Sequence, residues 1–283
     1  MNEVTAGELI TAAEAGCAEA LALYRDAAQS GNATALYELA TMYEQGYGVP
    51  KDTDEVLRLY TESAAEGNEQ ARKRLRDILG VTAHIKNVIF DFGQVLVRFD
   101  PAYIVSCHTS DPEIAPLLCD VVFDLAYWSK LDAGEVSDDE AVAEIRRRLP
   151  PALRDLGEQV FRSWIDHLPP IRPMWKLVER LNARGVPLYL LSNISTAFAE
   201  RTDEFPILGQ FRRCVLSGPC RMAKPDPAIY RHLLNTCGIA AEDTLFIDDS
   251  KKNIAGAESV GIHGYLFDGN ADRLAAYLEA VLL

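Results

Sequence analysis

The amino-acid sequence predicts an α/β fold, a doubly wound parallel sheet with a helical insertion, preceded by an all-α module of helical repeats. After residue 86, short apolar runs of strand length alternate with helical patterns. This alternation is typical of a parallel sheet that helices cover on both faces. Before residue 80, the chain repeats itself with an offset of 36 residues, which indicates stacked helical units. We therefore expect helical repeats over residues 1–80 and an α/β domain over residues 84–283.

The repeat is visible in residues that recur at the same place in two units. Tyr24 recurs as Tyr60, and the Gly-Asn pair at 31–32 recurs at 67–68. Gly-Asn suits a tight turn between two antiparallel helices. The stretch from AAQSGN to SAAEGN resembles the Sel-one-like repeats, which are related to the tetratricopeptide repeat, over about one and a half units. Because such units need neighbours to bury their faces, we expect the module to pack on the α/β domain of its own chain or on a protein partner.

The elements after residue 80 follow the apolar pattern. Runs of strand length lie at 86–92, 186–193, 214–217 and 244–249, and 263–267 is a candidate fifth strand. Helical patterns lie at 173–184, 195–204, 226–237, 251–260 and 271–282.

Between about residues 101 and 170 the sequence shows no strand pattern, so a helical insertion after the first strand is the simplest account. Trp128 and Trp164 lie in this insertion. An aromatic side chain there could line a substrate pocket, but packing in the helical core is the interpretation that we favour.

The formal net charge of −14 limits the kinds of partner. Residues 1–80 hold 7 basic against 14 acidic side chains, and residues 81–283 hold 21 against 28. Because neither part is net positive, we expect neither nucleic acid nor an anionic membrane as a partner. The opening segment lacks the basic and apolar parts of a secretory signal, and no apolar stretch approaches the roughly 20 residues that span a bilayer. We therefore expect a cytoplasmic protein.

Four of the predicted strands end in polar residues that suit phosphate and magnesium chemistry. These residues are Asp91, Ser192, Asn193, Ser217, Asp248 and Asp249. In open parallel sheets, ligands bind beyond the carboxyl ends of the strands. A single Asp at a strand end is more often a helix cap, but several such residues at one rim point to a ligand site.

Four motifs around these residues resemble those of the haloacid dehalogenase-like hydrolase superfamily. In chain order they are VIFDFGQVLV, YLLSN, AKPDPAIY and LFIDDSKKNIAGA, and the resemblance covers roughly residues 86–283. Their combination looks like the sugar-phosphatase branch that includes alpha-glucose-1-phosphatase. The resemblance implies a Rossmann-like core, a helical cap at about 101–170, and a phosphatase that depends on Mg²⁺.

The resemblance also implies a nucleophile and a set of metal ligands. Asp91 matches the family's nucleophile, which forms an aspartyl-phosphate that water later cleaves. Asp249 matches the main acidic ligand of Mg²⁺, with Asp248 beside it as a further ligand or a supporting acid. The carboxylate of Asp91 and the backbone carbonyl of Gly93 complete the protein ligands. A hard cation with oxygen ligands suits a reaction between two anions.

Three further residues match groups that act on the phosphate. Ser192 and the backbone of Asn193 match the groups that hydrogen-bond the transferring oxygens, and Lys224 matches the cation that neutralises their remaining charge. Asn253, one turn after Asp249, is expected to orient Lys224 or a metal ligand.

One position departs from the commonest pattern of the superfamily. Most of its phosphatases carry a second Asp two residues after the nucleophile as general acid and base, and this chain has Gly93 there. Losing a general acid lowers the rate by roughly 10²–10⁴ unless another group replaces it. The sugar-phosphatase branch also has Gly at this place, so we still expect activity. Asp100 is one candidate for the proton donor, and a cap for the helix that opens at Pro101 is the alternative.

The leading hypothesis is therefore a phosphomonoester hydrolase for a small phosphorylated metabolite, such as a sugar phosphate. The alternative is a binding or scaffold protein, in which the repeats engage a protein partner and the hydrolase domain is weakly active or inactive. True dehalogenases of this superfamily need no metal and carry different residues in the fourth motif. The retained pair Asp248 and Asp249 argues against dehalogenation.

Overall fold

The computed structural model describes residues 19–282. These residues form two compact units. The first contains the described residues up to His84 and those from Asn270 onward, and the second contains Ile85–Gly269. In the described part of the chain, every helix is too short or too polar to cross a membrane.

Residues 19–29 are helical. In chain order, the helices that follow in the first unit are α1 (Ala33–Gln45), α2 (Thr53–Ala65) and α3 (Glu69–Leu79). Those of the second unit are α4 (Pro101–Ser106), α5 (Ile114–Val122), α6 (Leu125–Asp132), α7 (Asp138–Arg148), α8 (Arg154–Ser163), α9 (Arg172–Ala183), α10 (Thr196–Ala199), α11 (Ser217–Cys220), α12 (Pro227–Cys237) and α13 (Lys251–Glu258). Helix α14 (Ala271–Val281) returns to the first unit.

The repeated Gly-Asn pair makes the turns of the first unit. Gly31 and Gly67 both have a positive φ, of 77° and 91°, a conformation that Gly adopts without a steric penalty. The next residue in each case, Asn32 or Asn68, caps the following helix with its side-chain oxygen. Such a cap satisfies backbone N–H groups that the first helical turn leaves unpaired. The sequence repeat is thus a repeat of one helix end and the next helix start.

The core of the first unit is completed by the last helix of the chain. Ala276 and Ala280 of α14 are buried in the same apolar cluster as Leu59 and Leu75. The Arg76 side chain also donates a hydrogen bond of 2.7 Å to the carbonyl of Ala280. The short repeat module therefore finds its neighbour in the C-terminal helix. The predicted domain over 84–283 differs from the structure at this end, because α14 packs with the helical unit.

The second unit is built on a five-stranded parallel sheet. Its strands are β1 (Asn87–Phe90), β2 (Leu188–Ser192), β3 (Arg213–Leu216), β4 (Thr244–Asp248) and β5 (His263–Leu266), in the order β3-β2-β1-β4-β5. The candidate fifth strand is therefore confirmed. Strands β1, β2 and β4 are buried along their whole length, which explains their continuous apolar runs. Phe90 pairs with Leu190 and Ile247, so these three strands end at the same rim.

Residues 101–170, between β1 and β2, are helical and contain no strand. The predicted helix over 195–204 is instead one short turn of α-helix, α10, followed by a 3₁₀ turn at Thr202–Glu204. The change of direction places the Phe205 ring 5.3 Å from the Phe92 ring and 5.0 Å from the Phe198 ring. Packing under the rim of the sheet thus overrides the local helical pattern.

Replacing Leu75 by Ala should lower the free energy of unfolding of the helical unit by about 2–5 kcal/mol, because Leu75 has no exposed surface and its loss leaves a cavity. Chemical unfolding followed by circular dichroism measures the change. Ile78→Ala is the matched control, since Ile78 lies on the same helix and is 37% exposed. It should lose less than about 1 kcal/mol. Equal losses in the two variants would contradict this description of the core.

Candidate active site

The site begins where β1 ends. The backbone N–H of Asp91 donates to the carbonyl of Ile247 at 2.9 Å, so Asp91 is held by the central ladder of the sheet. The backbone N–H of Phe92 donates to Asp91 Oδ1 at 2.7 Å. This second bond orients the carboxylate at the rim. Asp91 is buried, with 8% of its surface exposed.

Lys224 lies at the centre of the site. Its Nζ is 2.8 Å from Asp91 Oδ1 and 2.7 Å from Asp248 Oδ2. It also donates to the carbonyl of Leu191 at 3.1 Å, so each of its three N–H groups has an acceptor. Burial lowers the pKa of Lys224, but the two carboxylates outweigh burial and raise the pKa above its ordinary value. The ammonium group therefore stays charged although it is almost fully buried.

Asp248 is fixed by the start of the next helix. The backbone N–H of Ser250 donates to Asp248 Oδ1 at 2.7 Å. The Asn253 amide donates to both carboxylate oxygens, at 3.1 and 3.0 Å. Of the two roles expected for Asn253, the structure shows the one in which it orients an acidic residue. Asp248 has no exposed surface.

The carboxylates at this rim carry more negative charge than Lys224 balances. Burial raises the pKa of Asp91 to about 7, and the nearby Asp248 adds to this effect while Lys224 opposes it. One lysine thus faces two buried carboxylates, with Asp249 alongside them. A cation at this place would favour the ionised form of Asp91.

Three carboxylates are close enough to share one metal ion. Ligand oxygens of Asp91, Asp248 and Asp249 all lie within 4.8 Å of one another, the first two buried and the third exposed. Oxygen ligands from carboxylates are those that Mg²⁺ prefers, and an exposed side leaves room for water and phosphate oxygens. Gly93 lines the pocket beside Asp91, as the sequence prediction of a carbonyl ligand requires. The donor set therefore fits a magnesium ion.

Ser192 and Asn193 end β2 and line the same pocket as Asp91 and Asp249. The Asn193 amide donates to the backbone carbonyl of Lys224 at 2.8 Å, and the backbone N–H of Lys224 donates back to Asn193 Oδ1 at 2.8 Å. The side chain of Asn193 thus positions the loop that carries the lysine. Sequence reasoning assigned only the backbone of Asn193 and missed this pair of bonds. The phosphate-binding roles of both residues stay predictions.

Ser217, the remaining polar strand end, has a different place. Its Oγ accepts from the backbone N–H of Ile194 at 2.8 Å and donates to the carbonyl of Asp132 at 2.5 Å. Ser217 thereby connects the loop after β2 to helix α6 of the insertion. A Cβ on Gly134 would lie 2.5 Å from the carbonyl oxygen of Gly218, so this contact between insertion and sheet also requires glycine.

The pocket above the rim has a volume of about 210 Å³. The acidic residues and the end of β2 line the pocket at the rim of the sheet. Phe99, Trp128 and Trp164 also line it. Both tryptophans are buried, which confirms the favoured role in the core, and both also line the pocket. Asp100, by contrast, accepts a hydrogen bond from the backbone N–H of Tyr103 and caps α4. It is absent from the pocket lining, which corrects the suggestion that it donates the proton.

Asp132 is the pocket residue that sequence reasoning missed. It is the last residue of α6 and lines the pocket together with Asp91 and Ser192. The position of Asp132 at a helix end was a signal in the sequence, because the helix dipole disfavours a carboxylate at the C-terminal end of a helix. An acidic residue in such a place is a candidate for a role other than stability.

A five-stranded parallel sheet with clustered carboxylates at its central rim defines a doubly wound α/β enzyme. A protein-family model of haloacid dehalogenase-like hydrolases matches residues 85–261, which is more than half of the chain. The chain therefore belongs to this family of hydrolases.

Similar proteins include phosphatases. The sesquiterpene phosphatase astK of Aspergillus oryzae is 26% identical over 198 residues, which are 69% of this chain and 94% of that protein. The D-ribitol-5-phosphate phosphatase of Bacteroides thetaiotaomicron is 26% identical over 199 residues, 66% of this chain and 94% of that protein. A solved structure of a family enzyme from the same bacterium, in complex with magnesium and inorganic phosphate, is 25% identical, with a TM-score of 0.52. It covers 66% of this chain and 96% of its own. The Sel-one-like repeats and the sugar-phosphatase branch stay predictions.

Addition of Mg²⁺ should raise the melting temperature of the protein, because an ion that binds only the folded state stabilises it, by about 2.7 kcal/mol at a hundredfold excess over the dissociation constant. Asp249→Asn should remove most of this shift. Differential scanning calorimetry with and without MgCl₂ measures it. Glu242→Gln, at an exposed carboxylate outside the cluster, is the control and should keep the full shift. The same shift in all three proteins would contradict the metal site.

Proposed function

We propose that the protein is a Mg²⁺-dependent phosphomonoester hydrolase that acts through an aspartyl-phosphate intermediate on a small phosphorylated metabolite. The observation that carries the proposal is the cluster of Asp91, Lys224, Asp248 and Asp249 at one rim. It combines a buried carboxylate, a fixed cation and a set of oxygen ligands, which are the groups that phosphoryl transfer needs.

The proposed reaction has two displacements at phosphorus. An Asp91 oxygen attacks phosphorus, the bond from phosphorus to the alcohol oxygen breaks, and the alcohol leaves with the bonding electrons and takes up a proton. Water then attacks the phosphorus of the aspartyl-phosphate, which releases inorganic phosphate and regenerates the carboxylate. Asp91, Asp248, Asp249 and the Gly93 carbonyl would hold Mg²⁺, which supplies positive charge against the phosphoryl oxygens.

The protein's own groups hold the reactants in both steps. Lys224 touches the nucleophile and stays in place because Asp248 and the Leu191 carbonyl bind its other N–H groups. It cannot move far without leaving a buried carboxylate unpaired, which is strongly destabilising. Ser192 lies at the same end of the pocket, where its hydroxyl can donate to a phosphoryl oxygen.

The relatives support this chemistry, but their names indicate two different classes of substrate. Both relatives named above are phosphatases, and a solved structure of a family enzyme contains magnesium and phosphate. One phosphatase is named for a sugar alcohol phosphate and the other for a sesquiterpene. One relative therefore supports the expectation of a sugar phosphate. The other, which is equally identical in sequence to this chain, supports a hydrocarbon substrate.

The alternative function, a binding protein whose hydrolase domain is weakly active or inactive, does not account for the rim. A buried lysine between two buried carboxylates is weak evidence for stability, because apolar residues of the same volume would often stabilise the fold as well or better. A reaction that uses the positive charge of Lys224 explains why each of its three N–H groups has a partner. A protein partner for the repeat module can be proposed beside the hydrolase activity and does not compete with it.

Replacing Asp91 by Asn should abolish hydrolysis, with a loss of about 10³-fold or more in kcat, because the amide cannot attack phosphorus. Release of inorganic phosphate from p-nitrophenyl phosphate with Mg²⁺ measures the rate. Asp100→Asn, which removes only the α4 cap carboxylate, is the control and should keep most of the activity. Turnover by Asp91→Asn at the wild-type rate would exclude Asp91 as the nucleophile.

A further inference from the structure

Apolar residues also line the pocket, and six of them form its apolar wall. They are Val97, Phe99, Trp128, Trp164, Leu168 and Ile194. The rings of Phe99 and Trp128 lie 5.4 Å apart, those of Phe99 and Trp164 5.9 Å, and those of the two tryptophans 5.1 Å. Such mutual contacts hold the rings in place, so the wall is formed before any substrate binds.

Several polar groups that border this wall already donate to backbone carbonyls, whereas within the described residues the Asp132 carboxylate has no such partner. The Gln94 amide donates to the carbonyl of Phe99 at 2.9 Å, and the Trp128 indole N–H donates to the carbonyl of Val122 at 2.7 Å. Both ends of the Asn193 amide are bonded to the backbone of Lys224. Several hydroxyl groups of a sugar placed here would lose their bonds to water, and the unpaired carboxylate of Asp132 cannot replace them all, which lowers affinity.

Resting on the proposed phosphatase function, we propose that the substrate is the phosphomonoester of an apolar alcohol, with its phosphate at the rim and its hydrocarbon part against the aromatic wall. Burial of hydrocarbon in such a pocket is favourable in proportion to the area removed from water. Close contact with aromatic faces also suits an unsaturated chain.

A homologous series of n-alkyl phosphates tests the substrate class. With full-length protein and Mg²⁺, kcat/KM should rise about two- to fourfold for each added methylene from butyl to octyl phosphate, until the wall is filled. Glucose 1-phosphate should be hydrolysed more slowly than octyl phosphate, and p-nitrophenyl phosphate reports whether the reaction works at all.

The outcomes separate the two proposals. Turnover of p-nitrophenyl phosphate with no dependence on alkyl length, or with glucose 1-phosphate preferred, overturns the apolar substrate and leaves the phosphatase function intact. Failure to hydrolyse any of these esters overturns the phosphatase function itself, and the substrate class with it.

The alcohol that leaves in the proposed reaction needs a proton. Among residues 19–282, the carboxylate of Asp132 has no hydrogen-bond or ion-pair partner, although it is half-buried and lines the pocket that contains Asp91. Its backbone is fixed, because its carbonyl accepts the 2.5 Å bond from Ser217. An unpaired carboxyl group in a largely apolar pocket is aimed at whatever the pocket binds.

We infer that Asp132 is the general acid, a role that the glycine at position 93 cannot fill. Asp132 protonates the alcohol oxygen as the bond from that oxygen to phosphorus breaks. Burial raises the pKa of Asp132 to about 7, with Lys224 opposing the rise. A share of the carboxyl groups is then protonated at neutral pH and can donate. An alkoxide from an alkyl phosphate is a poor leaving group, so its departure depends on this proton.

Leaving-group dependence tests the role. Asp132→Asn should lower kcat for octyl phosphate by about 10²–10⁴-fold and change kcat for p-nitrophenyl phosphate by less than about threefold, because p-nitrophenolate leaves without a proton. A structural defect would lower both rates together. Asp120→Asn, at an exposed carboxylate of the same insertion, should change neither rate.

A second variant tests whether the function that Asp132→Asn lacks is proton donation. A Cβ at Gly93 would have no atom within 4 Å, so Gly93→Asp can be accommodated. Combined with Asp132→Asn, it should restore part of the octyl phosphate rate. Equal losses for both esters in Asp132→Asn, or an unchanged octyl phosphate rate, would overturn the assignment, as would a rescued variant no faster than Asp132→Asn alone.

Discussion

The arrangement of the candidate active site depends on one buried ammonium group. Lys224 stands on the loop after β3, and its Nζ binds the residue that follows β1, a carbonyl of β2 and the last residue of β4. Its backbone is paired with Asn193, just after β2. Four strand ends are therefore tied through one residue. Without the charge of Lys224, two buried carboxylates would face each other, which is strongly unfavourable. This unfavourable energy holds the Lys224 ammonium group between them, where the proposed reaction needs it.

The strands and the main residues of the rim could be predicted from the sequence. Continuous apolar runs are a direct consequence of burial on both faces, and the runs at 86–92, 186–193 and 244–249 end within two residues of the ends of β1, β2 and β4. Parallel pairing then brings Asp91, Ser192 and Asp248 together without further information, because equivalent ends of parallel strands share an edge. Order along the chain was enough for this part of the site.

Contacts that depend on the packing of distant segments could not be predicted in the same way. Helix α14 has an ordinary helical pattern, and nothing in its periodicity says that Ala276 and Ala280 pack on the repeats and not on the sheet. Asp132 is about forty residues from Asp91, and only the fold of the insertion brings both to one pocket. The hydrogen bonds of Asn193 require the Lys224 loop to be in place first.

The return of the chain to the first unit has a practical consequence for dissecting the protein. Since the sheet-containing unit is interposed between two segments of the helical one, its natural limits are Ile85 and Gly269. A fragment cut by sequence resemblance alone, from about residue 84 to the end, would carry α14 without its packing surface and leave Ala276 and Ala280 without the apolar cluster that covers them. Aggregation of that fragment would say nothing about the intrinsic foldability of the hydrolase unit.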